Sequence, residues 1–261
     1  CRHLGAGLQM SSDEFASRAS AILKRLEADQ RCAAITRGVA VPFILPRGRV
    51  PDIGSVLEQH FLPAVADAYQ EKFPDYRFTN HHKTGLTGRL SVQPNSRHEH
   101  LIDAMADKDV VGVYFPCLSE YSIPAALQRI ATLPEHLLLA GGFDTCAALV
   151  ATPGLLMRTD GYPPLLWLSA LASEKESAGY HFEAYGYNLT FNRRPHLGHA
   201  AEYYIRTGRG RQVSKAEVYD ILRRAEANGL MHEIPNLDGD GKTVQISKDN
   251  KFTLAALILA A

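Results

Sequence analysis

Leu137-Leu138-Leu139-Ala140-Gly141-Gly142-Phe143-Asp144-Thr145-Cys146-Ala147-Ala148-Leu149-Val150 is the stretch around which the chain organises itself. Its first four residues form an apolar run, which suits a strand buried on both faces. Gly141 and Gly142 break the run. Asp144 or Thr145 then caps a new helix that runs on from Cys146. A strand, a glycine turn and a helix start in this order put free backbone N–H groups at a sheet edge. Open α/β folds bind ligands at such edges.

The residues upstream repeat the pattern. Val39 to Leu45 reads as a strand, with Pro42 restricting it to a sheet edge or a bulge. A loop, Pro46-Arg47-Gly48-Arg49-Val50-Pro51-Asp52, leads into a helix over about 53–73. Ser55 and Glu58 stand at capping-box spacing there, and Pro63 must kink or divide the helix. Short strands are expected at 76–80 and 89–93, a helix over 96–107 and a strand over 110–115. The loop 116–121 precedes a helix capped by Ser122. Strand and helix thus alternate from about 33 to 150, which predicts an α/β fold with a mainly parallel sheet and helices on both faces. On parallel strands the loops 46–52, 116–122 and 141–145 share one edge. Arg47, Arg49, Cys117, Ser119, Glu120, Gly141, Gly142, Asp144 and Thr145 then converge on a ligand.

Two flanking regions complete the division. Residues 1–32 form an N-terminal helical segment, in which Ser11 and Glu14 have capping-box spacing. Residues 33–194 form the α/β domain, its last part a strand or hairpin of aromatic character over 180–192. Residues 195–261 form a small C-terminal module.

Composition narrows the function classes. The 261 residues carry 28 Lys+Arg and 28 Asp+Glu, so no global field draws nucleic acid or an anionic membrane. No apolar run is long enough for a membrane span. The cysteines Cys1, Cys32, Cys117 and Cys146 show no CxxC pair, which fits a reducing cytoplasm better than a disulfide framework or a structural zinc site. Cys1 has the chemistry of a lipid-bearing first residue, but Met10 offers a start that makes it an upstream residue.

Arg47 and Arg49 place two guanidinium groups between a strand and a helix, which suits a carboxylate or phosphate. Against this stands a solvated basic turn. Cys117 and Cys146, near helix starts, are candidate nucleophiles, although no base is fixed by spacing and small buried hydrophobes are the plainer reading. His98 and His100 do not form a metal pair, because residues two apart on a helix point about 200° apart. They are expected to be partly exposed and hydrogen-bonded, and no metal site is assigned. Gly141-Gly142 lacks a dinucleotide fingerprint or P-loop, so neither NAD nor ATP is inferred and the cofactor is left open. Asn236-Leu237-Asp238-Gly239-Asp240-Gly241 starts like a calcium loop, but Ser247 stands where the bidentate glutamate belongs, so a hairpin turn is the better account.

Val213-Ser214-Lys215-Ala216-Glu217-Val218-Tyr219-Asp220-Ile221-Leu222-Arg223-Arg224-Ala225-Glu226-Ala227-Asn228-Gly229-Leu230 resembles the recognition helix of winged-helix regulators. The resemblance implies a wing formed by 231–234, the turn 236–241 and 243–247. It implies DNA contacts by Arg209, Arg211, Lys215, Arg223 and Arg224, or a protein partner on the same module. The sequence as a whole is therefore read as a binding or sensing protein for a small anion with a C-terminal output module. The rivals are a cytosolic α/β enzyme with its site on the same edge, and a non-catalytic subunit of an assembly.

Overall fold

The computed structural model describes residues 2–4, 8, 10–82, 84–119, 123–157, 165–176, 178–196, 213–214, 243–244 and 251–257. The first sheet has the order β1-β4-β12-β5, with β1 at Val41–Leu45, β4 at Val110–Ser119, β12 at Lys251–Leu257 and β5 at Leu137–Leu139. Every pairing in it is antiparallel. A second sheet, of order β2-β9-β8-β6, joins Phe78–Asn80, Asn188–Pro195, Ala178–Tyr185 and Leu166–Trp167. Among the described residues only β2 with β9 is a parallel pair. A short antiparallel ladder pairs β3, Leu90–Val92, with β7, Leu171–Ser173.

The expected mainly parallel sheet is therefore corrected to a mixed α/β fold of small, mostly antiparallel sheets. The helix after β1 does not return the chain to the same sheet as a parallel crossover does. It leads on to β2 in the second sheet, and the chain re-enters beside β1 from the other end: Leu45 faces Val110 and Val41 faces Tyr114. The alternation of elements was real, but it carried no information about where each next strand enters.

Helices do cover both faces of the first sheet, and strand alternation shows why. Val41, Phe43, Leu45, Val110, Tyr114 and Leu138 point to one face. There they join a core with α4, Leu62–Lys72, α5, Glu99–Asp107, and α7, Gly142–Ala151. Ile44, Val111, Val113, Phe115, Leu137 and Leu139 point the other way, onto α1, Ser12–Ala28, and α6, Ile123–Ala131. Residues 137 to 150 are all buried. α7 is apolar nearly all round, as a helix enclosed by its own protein must be.

Local chemistry fixes the element ends. Ser11 caps α1 by accepting the Glu14 N–H at 3.2 Å. Pro42 sits in β1, an edge strand, where its missing N–H costs no ladder bond on the open side. The helix from 53 begins with α3, Ile53–Val56, and its cap is Asp52 rather than Ser55: the Asp52 carboxylate accepts the Ser55 N–H at 2.6 Å. A π-turn, Leu57–Phe61, then joins α3 to α4. Pro63 sits in the first turn of α4 and has no N–H to give to the preceding turn, so the wider turn absorbs the mismatch.

β4 runs to Ser119, through the segment expected to be a loop. Its register with β12 shifts between the Phe115 and Leu118 pairs, around Pro116, where a donor is missing. The segment 178–195 is a hairpin turning at Gly186, which has φ +60°. Lys251–Leu257, assigned from sequence to the C-terminal module, runs between β4 and β5 instead. Val213–Ser214, expected to open a recognition helix, pairs as a strand with Thr243–Val244. Among the described residues no helix is long and apolar enough to cross a membrane.

Candidate functional site

The basic loop after β1 is pinned by its backbone, which leaves its side chains for other work. The Arg47 N–H donates to the Asp109 carboxylate at 2.7 Å, and the Gly48 N–H to the Met105 carbonyl at 2.7 Å. Asp52 closes the loop: one carboxylate oxygen caps the helix and the other accepts the Gly88 N–H at 2.9 Å. The result is a cleft of about 260 Å³. Val50, Val56, Phe61 and Met105 give it apolar walls, while Arg47, Arg49 and His60 bring nitrogen donors to it. Phe61 and Met105 are 4% and 2% exposed, so they are firmly set in the core. Arg47, Arg49 and His60 are exposed, and neither arginine makes an ion pair among the described residues. Sequence reasoning found the arginines and missed His60 and Phe61, because nothing in the sequence marks which turn of a long helix faces a loop. The helix N–H groups expected to assist the arginines are occupied by Asp52.

The expected convergence of three loops does not occur. Leu45 stands opposite Val110, the first residue of β4, whereas Leu139 is level, through Leu254, with Phe115. At about 3.4 Å per residue, these levels are about 17 Å apart along the sheet, and the two loops leave in opposite directions from there. Arg47 and Arg49 therefore lie at one end, and Gly141, Gly142, Asp144 and Thr145 at the other. Cys117 and Ser119 belong to β4. Glu120 and Ser122 lie outside the described residues, as do Arg209, Arg211, Lys215, Arg223, Arg224 and the turn 236–241.

At the second end the chain builds a buried polar cluster. α7 starts at Gly142, with Gly141 as its cap. Asp144 is three residues inside the helix rather than its cap: it accepts the Gly141 N–H at 2.9 Å from within the first turn. The loop before α5 closes over this turn. Asn95 and Arg97 have φ +65° and +62°, the left-handed region that non-glycine residues seldom occupy. The Arg97 guanidinium donates to the carbonyls of Leu133, Pro134 and Leu137, and the Ser96 carbonyl accepts the Leu139 N–H. That clasp drives the His98 ring against the backbone of Gly141. Ser96 and Glu99 have capping-box spacing, but no such box forms: His98 precedes α5 without a side-chain cap, and Ser96 Oγ accepts the His98 N–H at 3.3 Å.

His98, Asp144, Thr145 and Ser169 are each 0% exposed. Neither ring nitrogen of His98 makes a well-formed hydrogen bond, nor do Asp144 Oδ2, Thr145 Oγ1 or Ser169 Oγ. His98 was expected to be partly exposed and hydrogen-bonded; its ring is instead wholly buried and without a well-formed hydrogen bond. Burial pushes its imidazole below the ordinary 6.5, against the pull of Asp144 and the Leu139 carbonyl. Burial likewise pushes the Asp144 carboxyl above 3.8, against His98 and the neighbouring backbone N–H groups. Each is driven toward its uncharged form. Cys146 is buried as well, and burial raises its thiol well above 9.0, so it is not an activated nucleophile. No group of three or more His, Cys, Asp or Glu is placed to hold a metal among the described residues.

Among the described residues, the cleft lies at the basic-loop end of the sheet. The α7 end has polar chemistry without access, and the basic-loop end has access, charge and an apolar wall. Comparisons with protein families, curated proteins and solved structures find no match.

Proposed function

We propose that the protein binds a small anion in the cleft beside the Arg47-Gly48-Arg49 loop. The observation that carries this reading is the concentration of nitrogen donors, the Arg47 and Arg49 guanidinium groups with the His60 imidazole, on one cleft of a chain with no net charge. Guanidinium groups recognise carboxylates and phosphates through paired N–H donors. A π-turn at the cleft is a further support, since such turns recur at functional sites.

An exposed ion pair gains little, whereas a charge-assisted bond in a cleft contributes about 1.5–3 kcal/mol. Arg47→Ala is thus expected to weaken binding roughly ten- to a hundred-fold, read by calorimetric titration with a small carboxylate and a small phosphate ester. Equal affinity in the parent and in an Arg47→Ala/Arg49→Ala variant ends the reading.

Signal output to DNA or a protein through the C-terminal module is the second half of the proposal. It rests on the winged-helix resemblance of 213–230 alone. Phosphate contacts release counterions, so duplex binding must weaken steeply with salt, and Arg223→Ala/Arg224→Ala must flatten that slope. Absence of binding to random duplex DNA at low salt removes DNA from the reading.

A further inference from the structure

We propose that the occupant of the cleft is amphiphilic: an anionic head on a short hydrocarbon, as in an alkyl carboxylate or an alkyl phosphate, rather than a bare inorganic anion. This rests on the anion-binding reading above and goes beyond it by naming the ligand class.

The division of the cleft carries the inference. Its guanidinium groups, Arg47 and Arg49, and its imidazole, His60, are exposed. Its apolar surface comes from the half-buried Leu4, Val50 and Val56, which pack against a core that includes Phe61 and Met105. A bare anion reaches only the exposed guanidinium groups, which water solvates and salt screens. It leaves the apolar wall wet. A hydrocarbon attached to the anion dries that wall, and each methylene removed from water strengthens binding about three- to four-fold. The cleft volume of about 260 Å³ is below the roughly 300–1,000 Å³ usual for drug-sized ligands, so the chain must be short. Charge and apolar surface are both present, and the ligand that satisfies both is an amphiphile.

Gly48 lines the cleft, and a β-carbon built there meets nothing within 4 Å with the backbone outside the left-handed region, so a side chain is accommodated there without disturbing the fold.

The experiment is calorimetric titration of the full chain with acetate, butanoate, hexanoate and octanoate, and with hexan-1-ol, hexyl phosphate and inorganic phosphate. Affinity is expected to rise about three- to four-fold per methylene until the cleft is full, with a negative heat-capacity change that marks apolar burial. Gly48→Leu is expected to remove hexanoate binding while the unfolding midpoint stays put. Anion binding with no dependence on chain length, or inorganic phosphate binding as well as hexyl phosphate, overturns the amphiphile and leaves the anion reading standing. Hexan-1-ol binding as tightly as hexanoate overturns the anion reading itself. Comparison of hexanoate with hexyl phosphate identifies which head the arginines prefer. Hexanoate binding that is undiminished in Arg47→Ala/Arg49→Ala puts the ligand elsewhere and overturns both.

Discussion

The imidazole of His98 occupies the space that a side chain on Gly141 needs: a β-carbon there meets His98 Cε1 and Nε2 at 2.4 Å. The ring cannot swing aside, because it is wholly buried. Gly141→Ala is therefore expected to destabilise the protein by about 1–3 kcal/mol, the range for forced overpacking. Urea unfolding measures it. His98→Ala opens the space, so the double variant must be more stable than the sum of the two single losses predicts. Additive losses refute the contact.

His98 and Asp144 give stability two pH dependences of opposite sign. A histidine with a lowered folded pKa contributes stability that is present above its ordinary 6.5 and lost as pH falls through the folded value. Asp144, with a raised folded pKa, contributes in the opposite sense: its part is present below 3.8 and lost as pH rises through the folded value. From about pH 7 down to about pH 5, where an unfolded histidine takes up its proton, His98 lowers the unfolding midpoint of the parent while Asp144 acts against it. The part due to His98 should disappear in His98→Asn. An unchanged slope in that variant shows that other groups set the acid limb.

Asp144 separates charge from hydrogen bonding. Its carboxyl is pushed toward the neutral form, yet Oδ1 still accepts the Gly141 N–H. Asp144→Asn keeps that acceptor and is expected to lie within about 1 kcal/mol of the parent at pH 7. Asp144→Ala leaves a buried N–H unpaired and should lose about 1–3 kcal/mol. Equal losses in both variants mean that a charged carboxylate is needed.

Cysteine chemistry offers an independent check on burial. Cys32 and Cys146 are free and buried, and burial raises both thiols. Neither should react with iodoacetamide in the native protein, and both should react in urea, as peptide mass mapping reads out. Rapid native labelling of Cys146 contradicts the enclosure of α7.

How far the sequence was legible depended on whether the deciding physics was local. The Ser11 cap, the edge position implied by Pro42, the hairpin among the two readings of 180–192 and the burial of the apolar run 137–140 follow from neighbouring residues, and each is present. The ligand edge expected at 141–145 is buried instead. Strand direction follows from where the chain re-enters a sheet, which no window of residues encodes, so the parallel sheet and the converging loops were misjudged together. Ser96 and Glu99 have the spacing of a surface helix start, and that spacing concealed the burial of His98. Its burial comes from Arg97, whose guanidinium reaches carbonyls near residue 135, far along the chain. On the ligand side, Arg47 and Arg49 were visible as a basic turn, while the apolar wall opposite them came from Phe61 and Met105 on other elements.

The placement of β12 has a consequence for how the molecule is made. β4 and β5 run in the same direction and both pair with Lys251–Leu257 between them, so the first sheet lacks a middle strand until residue 257 has left the ribosome. Through synthesis of more than 100 residues after β5, both strands keep an apolar, unpaired edge of the kind that recruits other chains. Completion of this sheet thus waits on a contact between distant parts of the chain, which slows its folding. A nascent chain halted before residue 251 is a natural client for a chaperone.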